Sequence, residues 1–348
     1  ITGFDVCCGI IKSRCRCGRT AMKLPLSIIA TGKALPNQRV LSTDLDAQLG
    51  LKAGFVEKKS GLLWRHFADK QTSQSQLAAE ALHDACRHHD IHPDSIDLLI
   101  CASAIPEQAL PTTASAIVAA SGLKAGIPAF DINASCVSFV TALFQAAALL
   151  QTGAYRRIAI VCAEIASRGL NWQDHESSLI FGDGAAAVIV EQGDGRAACV
   201  AYRLEVHPQG RDLCEIRAGG TRRNPRMGLD EADHYFRMQG KPVFKLASQL
   251  MPAFMQHLFA ELDYKPQNVD VVVPHQASHL AMQHIKSRLG LASEQIIDIY
   301  ATHGNQVAAS IPTALHEAFR TGRARHGQKM LLIGTAAGFA IAGMVLEL

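Results

Sequence analysis

The chain passes directly from a short apolar strand into a long apolar helix in one stretch, Pro128-Ala-Phe-Asp-Ile-Asn-Ala-Ser-Cys-Val-Ser-Phe-Val-Thr-Ala-Leu-Phe-Gln-Ala-Ala-Ala-Leu-Leu-Gln151. The strand is predicted over residues 129–132, where a short apolar run ends at Asn133. From Val137 onward, apolar residues recur at helical spacing, at positions 140, 143, 144, 147 and 150. Because this helix is apolar on nearly every face, we expect it to lie at the centre of the fold.

Cys136 lies at the corner between that strand and that helix. In the first turn of a helix, unpaired backbone N–H groups and the positive end of the macrodipole favour a thiolate, which lowers the thiol pKa from about 8.5. The position therefore predicts a nucleophile. The alternative is a structural role, in which Cys136 is a small apolar residue of the core.

The 348-residue chain has the composition of a globular protein, with 48% hydrophobic and 19% charged residues. It has no run of 18 apolar residues free of polar breaks, so it is predicted to be neither disordered nor membrane-spanning. Its net charge of +3 is too small to indicate nucleic acid binding. The ten cysteines are scattered, and several lie in apolar runs, which indicates reduced core residues of a cytoplasmic protein rather than disulfides or a metal site.

The first 21 residues differ from the rest of the chain. They carry Cys7, Cys8, Cys15 and Cys17 among basic residues and lack the apolar core of a signal peptide. The Cys-x-Cys pair is a fragment of a metal motif, but no second pair of ligands accompanies it. We expect residues 1–21 to be a disordered leader or added extension, with Met22 as the true start.

The second half of the chain repeats the order of predicted elements in the first half. Three pairs of matching positions lie 173, 169 and 172 residues apart, namely Ser95 with Asn268, Cys136 with Asn305, and Ile158 with Met330. These nearly equal offsets indicate an internal duplication that joins at residues 193–195. The predicted halves are residues 22–195 and 196–348.

Strands that alternate with helices predict an α/β fold whose mostly parallel sheets are covered by helices on both faces. Two such halves predict a five-layered α-β-α-β-α core, with one site between them beyond the carboxyl ends of the strands. In the second half we predict strands over 271–273, 296–300 and 330–333, and helices over 245–262 and 309–321. The segment 218–237 has no counterpart in the first half, and we expect it to form a lid or entrance loop.

Two polar residues of the second half are predicted to reach the same corner as Cys136. His275 follows the predicted strand Val271-Val-Val-Pro274, and Asn305 takes the place that the duplication assigns to Cys136. Taken alone, His275 could be a hydrogen-bonded core histidine and Asn305 a helix cap. The hypothesis of a site depends on all three residues occupying related strand ends.

Cys with His usually indicates a protease or a transferase in which His takes the thiol proton. With Asn in place of an orienting carboxylate, His275 and Asn305 could instead both donate hydrogen bonds to one thioester oxygen. Such donors stabilise the enolate that forms when a malonyl thioester loses carbon dioxide. The enolate carbon would then attack an acyl group on Cys136 and give a 3-oxoacyl thioester.

At these residues the sequence resembles the ketoacyl synthase III family of the thiolase superfamily over essentially everything after Met22. Five motifs in the family's order carry the resemblance: Asp131-Ile-Asn-Ala-Ser-Cys136, Phe181-Gly-Asp-Gly184, Pro274-His-Gln-Ala277, His303-Gly-Asn305 with Ala308-Ala-Ser-Ile-Pro312, and Gly334-Thr-Ala-Ala-Gly338. The resemblance implies a thiolase-like fold, a homodimer and a triad of Cys136, His275 and Asn305. It also implies an oxyanion hole formed by the backbone N–H groups of Cys136 and Ala337.

Several positions depart from the family pattern. Where the family sandwiches the adenine of CoA between Trp and Arg with a second Arg nearby, this chain has Phe55, His175 and Lys59. This departure favours an acyl carrier protein in place of CoA as the donor of the primer. Leu110 stands where a Phe often limits acyl length across the dimer interface, which implies a longer pocket. The similar enzymes that join two acyl chains without decarboxylation have a Glu at or next to that place, and its absence argues against their chemistry. Thr335 and the alanines after it replace a Phe and glycines of the last turn.

The segment Phe236-Arg-Met-Gln-Gly-Lys-Pro-Val-Phe-Lys245 matches a family segment that lines the pantetheine tunnel and its rim. The resemblance thus assigns Met238, Gly240 and Lys245 to substrate binding. Arg237, Lys241 and Lys245 could face an acidic carrier protein, although a solvated helix face explains any one of them equally well. The glycines of Phe181-Gly-Asp-Gly184 are expected to serve tight packing near the site rather than phosphate binding.

We therefore predict a cytoplasmic, homodimeric condensing enzyme without a cofactor, which uses acyl-CoA or acyl carrier protein thioesters in fatty acid initiation or in a specialised, polyketide-like pathway. One alternative is an enzyme of acyl transfer or thioester hydrolysis, which would not need both His275 and Asn305. The other is a non-catalytic partner subunit of a heterodimeric synthase, which would not need Cys136.

Overall fold

The computed structural model describes residues 22–288 and 291–348. The prediction made for residues 1–21 lies outside this range. The elements of the first half are β1 (Leu24–Pro25), β2 (Ser27–Ala34), β3 (Gln38–Leu41), α1 (Ser42–Gln48), α2 (Phe55–Ser60), β4 (Trp64–Phe67), α3 (Gln74–His88), β5 (Leu98–Cys101), α4 (Thr113–Ser121), β6 (Ala129–Asp131), α5 (Ser138–Gln151), β7 (Arg157–Glu164) and β8 (Gly184–Glu191).

The second half follows the same plan. Its elements are β9 (Ala198–Val206), β10 (Cys214–Glu215), β11 (Arg237–Met238), α6 (Gly240–Leu258), β12 (Val271–Pro274), α7 (His279–Arg288), α8 (Tyr300–His303), α9 (Ser310–Arg320), β13 (Lys329–Ala336) and β14 (Ala340–Glu347). Among the described residues, no helix combines the length and apolar character needed to cross a membrane.

Two five-stranded sheets carry the duplication. The first has the order β2-β8-β7-β5-β6 and the second β1-β9-β14-β13-β12. In each sheet a parallel pair, β5 with β7 or β12 with β13, lies beside an antiparallel pair, β7 with β8 or β13 with β14. The prediction of mostly parallel sheets is wrong, because five of the eight strand pairs described in these two sheets are antiparallel. The second sheet thus repeats the first from β9 to β12, and β1 is added at its edge.

Apolar side chains alternate along the strands and supply three separate layers of core. One face of the first sheet packs against α3 and α4, and one face of the second packs against α6, α7 and α8. The two remaining faces both pack against the central helices α5 and α9. This arrangement is the predicted α-β-α-β-α core, and α5 is buried on nearly every face because it lies in the middle layer.

The prediction of a strand over residues 296–300 is wrong. Only Ile296 pairs with the second sheet, in a single parallel bridge to Val272 that corresponds to the pairing of β6 with β5. The carboxylate of Asp298 accepts the N–H of Tyr300 at 3.0 Å, so the chain turns into α8 where the strand was expected to continue. The helix predicted over 245–262 instead begins at Gly240, directly after β11.

Candidate active site

A tight turn after β6 presents Cys136. Ser135 has a left-handed backbone, with φ of 53°, and its N–H donates to Oδ1 of Asn133 at 2.9 Å. The hydroxyl of Ser138 accepts the N–H of Ala134 at 2.9 Å and donates to the carbonyl of Ser135 at 2.6 Å. These bonds hold the turn from both ends, so Cys136 lies two residues before the first residue of α5, with Val137 as the N-cap.

The predicted low pKa of the Cys136 thiol is wrong. Burial raises this pKa to about 12, and the hydrogen bond from the backbone N–H of Ala337 opposes the rise only in part. Apolar side chains around the thiol remove the solvation that a thiolate needs, and this loss outweighs the start of α5. Cys136 is therefore a thiol rather than a thiolate at neutral pH.

His275 directly follows β12 and is buried. Its backbone N–H donates to the carbonyl of Ile333 at 2.8 Å, which fixes it beside β13. Burial lowers the pKa of the imidazole to about 4, so the ring is neutral at pH 7 and carries one N–H. Nδ1 has no hydrogen-bond partner among the described residues. The single N–H of a neutral ring can donate a hydrogen bond to a substrate oxygen.

The amide of Asn305 is oriented by two hydrogen bonds. Oδ1 accepts the N–H of Val307 at 2.8 Å, and Nδ2 donates to the carbonyl of Ala277 at 3.2 Å. The backbone of Asn305 is held in turn by Ile180, whose carbonyl accepts its N–H at 2.8 Å. Since Nδ2 carries two hydrogens, one remains for a ligand.

The Phe181-Gly-Asp-Gly184 segment lies against the loop that carries Asn305. A Cβ on Gly182 would lie 2.1 Å from the carbonyl oxygen of His303, and one on Gly184 would lie 2.0 Å from Nε2 of Gln306. Both glycines are therefore needed for close packing, as the sequence predicted. The carboxylate of Asp183 accepts bonds from Ala68 and Ser167, which fixes the segment from its other side.

Strand β13 brings the parts of the site together. The N–H of Ala337, in the turn after β13, faces the thiol of Cys136 and favours its charged form. A Cβ on Gly334 would lie 2.9 Å from Cβ of His275 and 3.1 Å from Cγ1 of Val137. His275 and the Cys136 turn thus lie on either side of Gly334, while Asn305 is hydrogen-bonded to the segment that follows His275.

Comparison with known proteins decides which family this geometry belongs to. The model of 3-oxoacyl-[acyl-carrier-protein] synthase III matches residues 130–208, and the model of that family's C-terminal part matches residues 259–348. The beta-ketoacyl-[acyl-carrier-protein] synthase III of Neisseria gonorrhoeae is 32% identical over 320 residues, covering 92% of this chain and 98% of that protein. The chain belongs to the ketoacyl synthase III family.

Other members support the assignment. Beta-ketoacyl-[acyl-carrier-protein] synthase III 3 of Streptomyces coelicolor is 34% identical over 313 residues, covering 88% of this chain and 92% of that protein. The crystal structure of the synthase III of Thermus thermophilus superposes with a TM-score of 0.83 at 30% identity, covering 92% of this chain and 99% of that one. The predicted thiolase-like fold is confirmed. As a ketoacyl synthase III, the chain is a condensing enzyme and an acyltransferase, and a non-catalytic partner subunit is not favoured.

Cys136 packs against an apolar cluster of this ketoacyl synthase III that contains the buried Phe181 and Val307. Phe236 and Met238 pack against the same cluster, and the rings of Phe181 and Phe236 meet edge to face at 5.0 Å. Met238 was predicted from the family resemblance, whereas Val307 was not singled out from the sequence. Val307 has a left-handed backbone, with φ of 49°, and that conformation gives no signal in the sequence.

Other predicted substrate-binding residues lie around the loop that carries His175. The rings of Phe55 and His175 are in edge-to-face contact at 5.8 Å, and Lys59 lies one turn after Phe55 in α2. Gly240 begins α6 beside the same loop, since a Cβ there would lie 2.4 Å from Oε1 of Glu176. The rim of the predicted tunnel thus packs against the loop that carries His175.

The remaining predicted residues differ in exposure. Lys245 is exposed on α6, and Thr335 is half-buried in β13, where it pairs with Ile341 of β14. Leu110 is 83% exposed in the isolated chain and does not line the Cys136 cluster of its own subunit. Within the described ranges, no three His, Cys, Asp or Glu side chains are arranged to hold a metal ion.

Proposed function

We propose that this condensing enzyme loads an acyl group on Cys136 and extends it with a malonyl thioester, with loss of carbon dioxide. The observation that supports this best is the paired donor arrangement, in which a neutral His275 and an oriented Asn305 amide lie at one corner. Simple acyl transfer or hydrolysis forms no enolate and therefore needs no such pair of donors.

In the first step, Sγ of Cys136 attacks the carbonyl carbon of the donor thioester. The new C–S bond replaces the bond to the carrier sulfur, and the thiol proton passes to the leaving thiolate. The N–H groups of Cys136 and Ala337 stabilise the negative charge that develops on the acyl oxygen. The N–H of Ala337 already points at the sulfur in the free enzyme, so it needs little movement to act.

In the second step, the bond between the malonyl carboxylate and the α-carbon breaks and carbon dioxide leaves. The electron pair forms an enolate, whose oxygen accepts hydrogen bonds from His275 and from Nδ2 of Asn305. The enolate carbon then attacks the acyl carbon on Cys136. Collapse of the tetrahedral intermediate releases the 3-oxoacyl thioester and the Cys136 thiolate, which takes up a proton because its pKa is high.

We propose an acyl carrier protein as the main donor of the primer. The edge-to-face contact of Phe55 with His175 fills the place where the family inserts an adenine between two flat groups. The carrier would meet the basic side chains of Arg237, Lys241 and Lys245 at the tunnel rim. Acyl-CoA would then bind weakly, because its pantetheine arm would contact the protein but its nucleotide would not.

We further propose that the enzyme is a cytoplasmic homodimer that requires no cofactor. The exposure of Leu110 supports a role across the dimer interface, where its side chain would end the acyl pocket of the partner subunit. A Leu there leaves space for primers longer than acetyl. Such primers fit a specialised, polyketide-like pathway as well as fatty acid initiation.

Intact-protein mass spectrometry after incubation with acyl-CoA and acyl carrier protein thioesters tests the first step. Wild type should gain one acyl mass, and Cys136→Ala should gain none. Cys199→Ala, which removes a thiol buried in the core, is the matched control and should load normally. Absence of loading from every donor would contradict the proposal.

A further inference from the structure

A buried carboxyl that the reaction does not use lies beside the site. Glu164 is the last residue of β7 and is 0% exposed. Among the described residues, no Lys, Arg or His forms an ion pair with it. A buried acid without a cation is costly, and a Gln would satisfy a single N–H donor at much lower cost. No motif identified in the sequence includes Glu164.

One oxygen of Glu164 connects to the turn of the nucleophile. Oε1 accepts the N–H of Ala104 at 2.5 Å. The carbonyl of Ala104 accepts a bond from Nδ2 of Asn133 at 2.8 Å, and Oδ1 of Asn133 accepts the N–H of Ser135 at 2.9 Å. Four hydrogen-bonded residues thus lead from the end of β7 to the residue before Cys136.

The same carboxyl faces the segment of Asn305. The N–H groups of Ile105 and Ala308 also point at it and favour its charged form. Neither forms a hydrogen bond with the carboxyl, since Oε1 is bonded by Ala104 and no described group bonds Oε2. Ala308 directly follows Val307, whose N–H orients the Asn305 amide. The carboxyl therefore lies between the loop that leads to Leu110 and the loop that holds Asn305.

We propose that Glu164 is a positioning residue, whose carboxyl fixes the Cys136 turn, the Asn305 loop and the Leu110 loop relative to one another. This inference rests on the proposed function, because it assigns the condensation step to the geometry that Glu164 maintains. Glu164→Gln keeps the size of the side chain but turns an NH2 group toward N–H donors. The amide then keeps one acceptor oxygen for the N–H of Ala104, while its NH2 group repels the N–H groups of Ile105 and Ala308 that favour the carboxylate.

The charged form of Glu164 is the one that binds its N–H donors most strongly. Burial raises its pKa to about 8, with a smaller contribution from the charge of Asp183. The other titratable groups that face it are the thiols of Cys101, Cys136 and Cys162. The condensation rate of pre-acylated wild type should therefore rise as pH passes through about 8.

The experiment compares wild type with Glu164→Gln, Asn133→Ala and Glu191→Gln. At a pH above 8, where wild-type Glu164 is charged, we expect kcat of Glu164→Gln to be at least about tenfold lower, with KM for the malonyl thioester little changed, because the reacting groups shift while binding persists. The rise near pH 8 should be absent. Asn133→Ala, at an exposed position, tests the same connection if Glu164→Gln fails to fold. Glu191→Gln, at the far end of the neighbouring strand, should behave as wild type.

Hydrogen exchange measured by mass spectrometry gives a second test, which does not depend on enzyme turnover. In Glu164→Gln, peptides that cover 102–110 and 304–309 should exchange faster than in wild type or Glu191→Gln. Unchanged kcat, pH profile and exchange in a folded Glu164→Gln would overturn the proposal. An inactive wild type would count against the proposed function instead, and the exchange data would still decide the role of Glu164.

Discussion

The side-chain amide of Asn305 donates to the carbonyl oxygen of Ala277 at 3.2 Å. This bond joins the loop between α8 and α9 to the segment that follows His275, so the two proposed enolate donors belong to one connected unit. Because Oδ1 is already held by Val307, the amide has one orientation in which its second N–H is available to substrate.

Replacement of Asn305 by Asp should separate the two steps of the reaction. Cys136 should still become acylated, but condensation should fall about 10²- to 10³-fold, because a carboxylate cannot donate to the enolate oxygen and repels its charge. Loading is measured by intact mass and condensation by product formation. Asn268→Asp, at an exposed position, is the control. Equal loss of both steps would contradict the assigned role of Asn305.

Alkylation of Cys136 should report its high pKa. The rate with iodoacetamide, followed on the Cys136 peptide, should continue to rise above pH 9 without a plateau, because burial holds the thiol pKa at about 12. A free cysteine derivative, with a pKa of about 8.5, should level off over the same range. A plateau of the Cys136 rate near pH 7 would instead mean that the start of α5 dominates over burial.

Addition of one methyl group at Gly182 should be destabilising. A Cβ there would lie 2.1 Å from the carbonyl of His303, which is backbone and cannot rotate away. We expect Gly182→Ala to lower the free energy of unfolding by about 1–3 kcal/mol. Thermal and denaturant unfolding measure the change. Gly220→Ala, which meets nothing within 4 Å, is the matched control and should unfold as wild type does.

The pair Phe55 and His175 should control the choice of donor. The double variant Phe55→Trp with His175→Arg should lower KM for acyl-CoA about tenfold, because an indole and a guanidinium can stack on an adenine. KM for the acyl carrier protein thioester should change little. A wild type that already binds acyl-CoA as tightly as the double variant would contradict the proposed preference for a carrier protein.

Local patterns were sufficient for much of the fold. The strand and helix on either side of Cys136 are both found in the structure, and the repeated spacing predicted two sheets of matching strand order. The pairing of Ile296 with Val272 shows the limit of that repeat. The side chain of Asp298 accepts a hydrogen bond from the next turn of the chain, so the strand ends early. The offset between the halves does not reveal such a bond.

The electrostatics of the site depend on contacts that are distant in the sequence. Cys136 packs against the cluster that contains Phe181 and Val307, so its pKa follows burial rather than the nearby helix start. The environment of Glu164 likewise comes from loops that meet only in the fold. The roles of Cys136, His275 and Asn305 stay a prediction, and the high pKa of the thiol could not be predicted from the local sequence.

Product analysis with a loaded enzyme tests the central claim most directly. Acylated wild type is mixed with a malonyl thioester, and carbon dioxide release and 3-oxoacyl thioester are measured together, beside Cys136→Ala and Asn305→Asp. The proposed reaction predicts one carbon dioxide for each 3-oxoacyl thioester in wild type, no product from Cys136→Ala and little from Asn305→Asp. Transfer or hydrolysis of the acyl group without carbon dioxide release would contradict it.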